Sequence, residues 1–214
     1  MKARLCPVVL SVLAGVLLSC PIRADEPAGQ THAFIDPADP AVQEIRRLGE
    51  WTLDRAGVMM QSEVRRVLAN TAPAMAIGVM HLKDYKLPAF APGQPAVTAL
   101  QRTSLQVRNP ANAPDAADRA ALAQIKDQLE QGDPVARILV QKVKQPGRPD
   151  EWRVYRPMVL MNQCLVCHGP AEALGPGVRD ALKVFYPHDT AVDYKEGDWR
   201  GLMRATIVVP AAAK

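Results

Sequence analysis

The sequence predicts an α+β domain built around an antiparallel sheet. Three observations carry that expectation. A long stretch of helical periodicity comes first, over residues 41–70. Alternating segments separated by strong turn signals follow, on either side of one shorter helix. A last alternating stretch, over residues 202–209, closes the pattern.

The elements follow in order. Val42, Ile45, Leu48, Leu53, Ala56, Met60, Val64 and Val67 recur mostly three or four residues apart, with Glu and Arg between them. That spacing gives a helix one apolar face. Asp39-Pro40 suits an N-cap and first-turn proline, and Asn70 with Pro73 ends the run. Gly49 and Gly57 mark places for a bend or break. Ala74 to Leu82 is short and apolar, and fits a strand or a buried turn of helix equally. Leu87 to Pro95 is a proline-rich loop, and Thr98 to Val107 has the Thr, Leu and Val content of a strand. Asn109 to Pro114 is a turn in which Asn112 is placed to cap the next helix. That helix runs to about Gln131, with Asp115 in its first turn, and buries Leu122, Ile125 and Leu129. Gly132-Asp133-Pro134 stops it. Val135 to Lys144 and Glu151 to Met161 alternate on either side of Gln145-Pro146-Gly147-Arg148-Pro149-Asp150, which predicts a hairpin. Val178 to Phe185 reads as a short helix and Leu202 to Val209 as a final strand.

The N-terminus reads as a leader. Lys2 and Arg4 precede an apolar run from Val8 to Leu18, too short for a membrane span and right for a secretory signal. Residues 1–24 form that signal peptide if it is cut after Ala24, before Asp25. The alternative is lipidation of Cys20 after Leu17-Leu18-Ser19, which would anchor the protein to a membrane through its N-terminal lipid alone. The expected location is the periplasm. Residues 25–40 are polar and proline-rich and read as a linker, leaving 41–210 as one domain. Removal of Lys2, Arg4 and Arg23 lowers the formal net charge from +4 to +1. A nearly neutral domain gives no reason to expect nucleic acid as a partner.

Cys6 and Cys20 lie in the leader, so Cys164 and Cys167 are the cysteines of the body. One close pair is not a disulfide scaffold. Cys164-Leu165-Val166-Cys167-His168 has the spacing of a c-type haem attachment motif. Each thiol adds to one haem vinyl group, and the following histidine becomes the proximal iron ligand. A thioredoxin-like pair would sit near the start of a βαβ pattern, and a structural zinc site would want a second ligand pair. Neither is present, and the expected cofactor is one covalently attached haem c.

With these residues in view, the body resembles the small exported c-haem proteins with a PAS-like domain, best known from cyanobacteria and long classed as a domain of unknown function. The likeness rests on the run Arg102-Thr103-Ser104-Leu105-Gln106-Val107-Arg108-Asn109-Pro110-Ala111-Asn112-Ala113-Pro114-Asp115 and on Cys164 to Gly169. It rests also on Tyr186-Pro187, Asp189, Ala191, Tyr194, Gly197-Asp198 and Gly201. The resemblance implies a PAS-like α+β fold, a central antiparallel sheet with the haem against it, and a long N-terminal helix. The family pattern Ala-Ile-x-Val-Cys, whose cysteine is a second axial ligand, stands here as Ala76-Ile77-Gly78-Val79-Met80. The resemblance therefore implies Met80 as sixth ligand, with a soft neutral thioether favouring ferrous iron. His81 is its rival, and ordinary core filling is the other reading of Met80. His32 and His188 read as solvated residues. Arg102 and Arg108 suit haem propionates and equally suit solvated strand positions.

Two function classes remain. The first is an exported cytochrome-like protein for one-electron transfer or haem-based redox sensing, acting through an unidentified redox or signalling protein. The alternative is a gas-binding haem sensor or haem enzyme with a labile sixth site. No nucleophile, acid–base pair or substrate motif supports the enzyme.

Overall fold

The alternating segments form one five-stranded antiparallel sheet in the order β1-β3-β4-β5-β2. Its strands are β1 (Thr31–Ile35), β2 (Ala96–Thr103), β3 (Leu139–Lys144), β4 (Glu151–Val159) and β5 (Trp199–Val208). The computed structural model describes residues 29–79, 87, 91 and 93–210, and the stretch read as a leader, Cys20 included, lies outside them. Side chains alternate across the central strands, so each face of the sheet carries its own core. Helix α1 (Gln43–Asn70) covers one face. There Ile45, Leu53 and Ala56 pack with Val154, Met203, Ala205 and Ile207. Helix α3 (Ala116–Gln131) covers the other, where Ala121, Leu122 and Ile125 pack with Leu139, Tyr155 and Leu202.

The long first helix is continuous through both of its glycines. Gly49 is there for space: a Cβ at that position would lie 2.5 Å from the Val154 side chain. The hairpin of β3 and β4 closes as its turn signal predicts, with Gly147 at φ +72° and Val143 opposite Glu151. Helix α3 ends at Gly132, whose left-handed φ of 72° lets its N–H reach the carbonyls of Gln128 and Leu129. The expectation of an α+β domain with a central antiparallel sheet and a long N-terminal helix therefore holds.

Several details differ. The stretch read as a linker contains β1, which pairs with β3 from Thr31 opposite Lys144 to Ile35 opposite Val140. Asp115, not Asn112, caps α3: its side chain accepts from Asp118 N–H while Asp118 reaches back, and Asn112 ends a separate turn over Pro110–Asn112. Leu129 is 44% exposed rather than buried. Strand β2 ends at Thr103, short of Val107. The ambiguous apolar stretch begins as one helical turn, α2 (Pro73–Ala76), which packs on α5 (Pro176–Phe185).

Beneath α3 lies a buried ionic network. Asp118 accepts from Arg204 at 2.6 and 2.8 Å, and the Tyr155 hydroxyl lies 3.0 Å from both Asp118 Oδ1 and Gln141 Oε1. Arg153 reaches Asp115 at 2.7 Å. Such pairing is what makes two guanidiniums tolerable inside a core.

Candidate functional site

Strand β4 delivers the chain to the site. Beyond Val159, Leu160 exchanges hydrogen bonds with the segment before β5: its N–H donates to Asp198 O at 2.9 Å and its carbonyl accepts from Gly197 at 2.8 Å. A tight turn over Asn162–Cys164 follows, with Cys164 N–H donating to Met161 O at 2.8 Å. The single helical turn α4 (Leu165–His168) comes next. Gly169 ends it, and a Cβ there would lie 2.7 Å from the Leu165 carbonyl oxygen. The two cysteines and the histidine therefore share about two turns of tightly wound chain.

Both thiols are free. Cys164 is half-buried against Leu160, Ala191 and Tyr194. Cys167 is buried with Ile77, Leu174, Val178 and Leu182, and that burial pushes its thiol up from the usual range. The site draws on distant segments. The stretch before Met80 meets Cys167 through Ile77, and residues 189–194 fold back over α4.

That last loop holds the histidine. His168 Nδ1 lies 2.8 Å from Ala191 O. A carbonyl only accepts, so Nδ1 carries the proton and Nε2 keeps its lone pair. Tyr194 N–H donates to His168 O at 3.0 Å, and Asp193 N–H to Gly169 O at 2.9 Å. Burial first, then the Arg108 and Arg200 guanidiniums, push His168 down to about 3, so the imidazole is neutral in ordinary buffers. Neutral imidazole with one nitrogen fixed on a carbonyl is the form that binds a metal.

Arg108 organises the same ground. Its Nη2 donates to Cys167 O at 2.6 Å and to Ala191 O at 2.9 Å. Its Nε donates to Asp189 Oδ2 at 3.0 Å, and the paired side chains are 13% and 8% exposed. One Nη1 contact to His168 Nε2, at 3.4 Å, is long. Asp189 Oδ1 in turn accepts from Ala191 N–H at 2.8 Å.

The site thus brings together Cys164, Cys167, His168 and Arg108, while Arg102 contacts Met60 and acts on His168 through its charge. Met80 and His81 lie outside the described residues. His32 and His188 are exposed, as a solvated role requires. Among the described residues, no group of three or more His, Cys, Asp or Glu converges as the ligands of an ion would. Sequence reasoning missed Arg200 and the carbonyl of Ala191. A backbone carbonyl leaves no mark in a sequence, and Arg200 looks like any basic residue at a strand start.

A family model described as Tll0287-like matches residues 55–208. A solved structure, the cyanobacterial heme-protein Tll0287, is similar at 24% identity over 53% of this chain and 63% of that one, with a TM-score of 0.39. The match thus spans less than two thirds of that protein. No curated protein matches.

Proposed function

The chain belongs to the Tll0287-like family, and we propose that it is an exported c-type haem protein that carries single electrons to a partner or reports redox state to one. One observation supports this above all. Two free thiols and a neutral histidine, Nδ1 fixed on Ala191 O, occupy consecutive turns of chain. The donor set fits haem c. Cys164 and Cys167 would hold it through thioethers and His168 would be the proximal ligand. Bound haem supplies a one-electron iron couple. The chain's own residues orient the imidazole through Ala191, keep it unprotonated, and brace its helix through Arg108 and Asp189.

Met80 is the proposed second ligand. Ile77 shares a cluster with Cys167, and three residues span at most about 11 Å of chain. A soft neutral sixth ligand suits electron transfer, because it fills the site and leaves nothing for a substrate to displace easily. The proposed location is the periplasm, with membrane attachment through lipidated Cys20 as the alternative to a freely soluble form.

After expression with the c-haem maturation machinery, haem should stay on the denatured chain through electrophoresis. Replacement of both Cys164 and Cys167 by Ala should release it, and retention would refute the attachment. The oxidised protein should show the weak long-wavelength band of methionine-bound ferric haem, lost in Met80→Ala and kept in His81→Ala. Rapid carbon monoxide binding by the unmodified ferrous protein would overturn the electron-transfer reading in favour of a labile sixth site.

A further inference from the structure

The charges of three guanidiniums from separate parts of the chain act on His168: Arg102 near the end of β2, Arg108 in the loop after it, and Arg200 at the start of β5. Among the described residues one carboxylate, Asp189, pairs with them. It is bound to Arg108, which also has the carbonyls of Cys167 and Ala191. Arg108 is therefore fully engaged.

Arg102 and Arg200 are not. Arg102 is half-buried, and its polar contact among the described residues is Met60 Sδ at 3.7 Å, a weak acceptor. Arg200 donates to the Ser104 hydroxyl and sits 5.4 Å over the Tyr194 ring, two neutral partners. Burial pushes both guanidiniums down from their usual range, and Arg108 repels each of them. Asp189 acts on Arg200 through its charge, but its ion pair is with Arg108, and half-buried cations without a carboxylate of their own are costly. The network under α3 shows how this chain otherwise treats such groups, with Arg153 and Arg204 both placed on carboxylates.

We propose that Arg102 and Arg200 bind the two propionate carboxylates of the haem. The inference rests on the haem reading above. Two unpaired cations meet two carboxylates, and the guanidinium fork matches a carboxylate in shape. The pair differs from the Arg102 and Arg108 expected from sequence, because Asp189 has already claimed Arg108. Arg200 lies over Tyr194, whose ring meets the His168 ring edge-on at a centroid distance of 6.4 Å, and the charge of Arg102 also acts on His168.

The test uses the covalent haem protein. Haem staining of the denatured, unmodified chain reports on the underlying reading. The propionates report on this inference. In the unmodified protein their resonance Raman bending bands should titrate well below the ordinary carboxylate range, since guanidiniums favour the ionised form. Propionates titrating in the ordinary range would overturn the proposal, and this measurement does not depend on any variant folding. Arg102→Gln/Arg200→Gln should keep its haem stain but shift those bands. Its reduction potential should fall, because two cations near the iron are gone, and should become pH-dependent as the propionates take up protons. Arg102→Lys/Arg200→Lys should recover part of the potential. A glutamine double variant with the parent's bands and potential at every pH would refute the assignment. Titration of the unmodified protein with inorganic phosphate separates the two sources of anion. An unchanged potential supports propionates in place, and a shift blocked in the glutamine variant would mean that a free anion occupies the arginines instead.

Discussion

Arg108→Ala should be among the most damaging single changes near the site. The guanidinium makes charge-assisted bonds to Asp189, to Cys167 O and to Ala191 O, at 2.6–3.0 Å. Its removal strands Asp189, whose side chain is 8% exposed, in a site with little water to replace the lost partner. Breaking one side of a buried pair costs about 3–5 kcal/mol. For a chain of this size that lowers the melting temperature by roughly 6–20 °C. Arg66→Ala is the internal control, since its pair with Glu63 at 2.6 Å is mostly exposed and screened by solvent, so its loss should cost far less. Urea unfolding followed by circular dichroism measures both. Adding Asp189→Ala to Arg108→Ala should cost less than the two single losses together, with a coupling of about 1–3 kcal/mol. If Arg108→Ala destabilises no more than Arg66→Ala, or the double variant is simply additive, Arg108 is not the brace described above.

Two further outcomes follow from the geometry. Gly201→Ala should cost about 2–6 kcal/mol, because φ is +137° and a Cβ would lie 2.2 Å from Thr103 O. Gly57→Ala, in α1 with nothing within 4 Å, should instead stabilise by about 1 kcal/mol, and equal effects on the urea midpoint would contradict both readings. In protein made without haem, His168 should make stability depend on pH. The unfolded chain takes up a proton near the ordinary 6.5, whereas the folded one resists until about 3. This contribution is full above about pH 6.5 and is lost as pH falls towards 3. The parent should lose more of its urea midpoint than His168→Gln over that window, and parallel curves would show that the histidine is not held neutral.

The fold was legible where local chemistry and tertiary structure agree. The helical spacing over residues 41–70, the turn at Gln145 to Asp150 and the stop at Gly132 each act within a few residues, and each appears in place. Strand β1 was not legible because four of its five residues are exposed and backbone pairing with β3 holds it. An apolar alternation cannot announce a strand that buries almost nothing. The capping residue of α3 was misplaced by three positions because Asn109, Asn112 and Asp115 all offer suitable oxygens. Only the course of the chain decides that Asn109 serves the preceding turn and Asp115 the helix. At the site, Cys164, Cys167 and His168 were readable because the motif is contiguous. The support for His168 comes from Arg108, Asp189 and Ala191, which lie far from it along the chain and carry no spacing rule.

That support bears on the choice between carrier and sensor. A sensor needs an element with two arrangements of similar free energy, which the iron can bias. The side of the site around His168 offers no slack for one. The carbonyls of Cys167, His168, Gly169 and Ala191 are each engaged, by Arg108, Tyr194 N–H, Asp193 N–H, and Arg108 with His168 respectively. Moving this turn would break bonds to two chain segments at once, the loop that carries Arg108 and residues 191–194, and the low exposure of Arg108 and Asp189 leaves little water to replace them. A fixed proximal ligand suits an iron that changes charge without changing place, as electron transfer asks. On the haem reading proposed above, any switching in this chain would then have to begin at the sixth ligand rather than at His168.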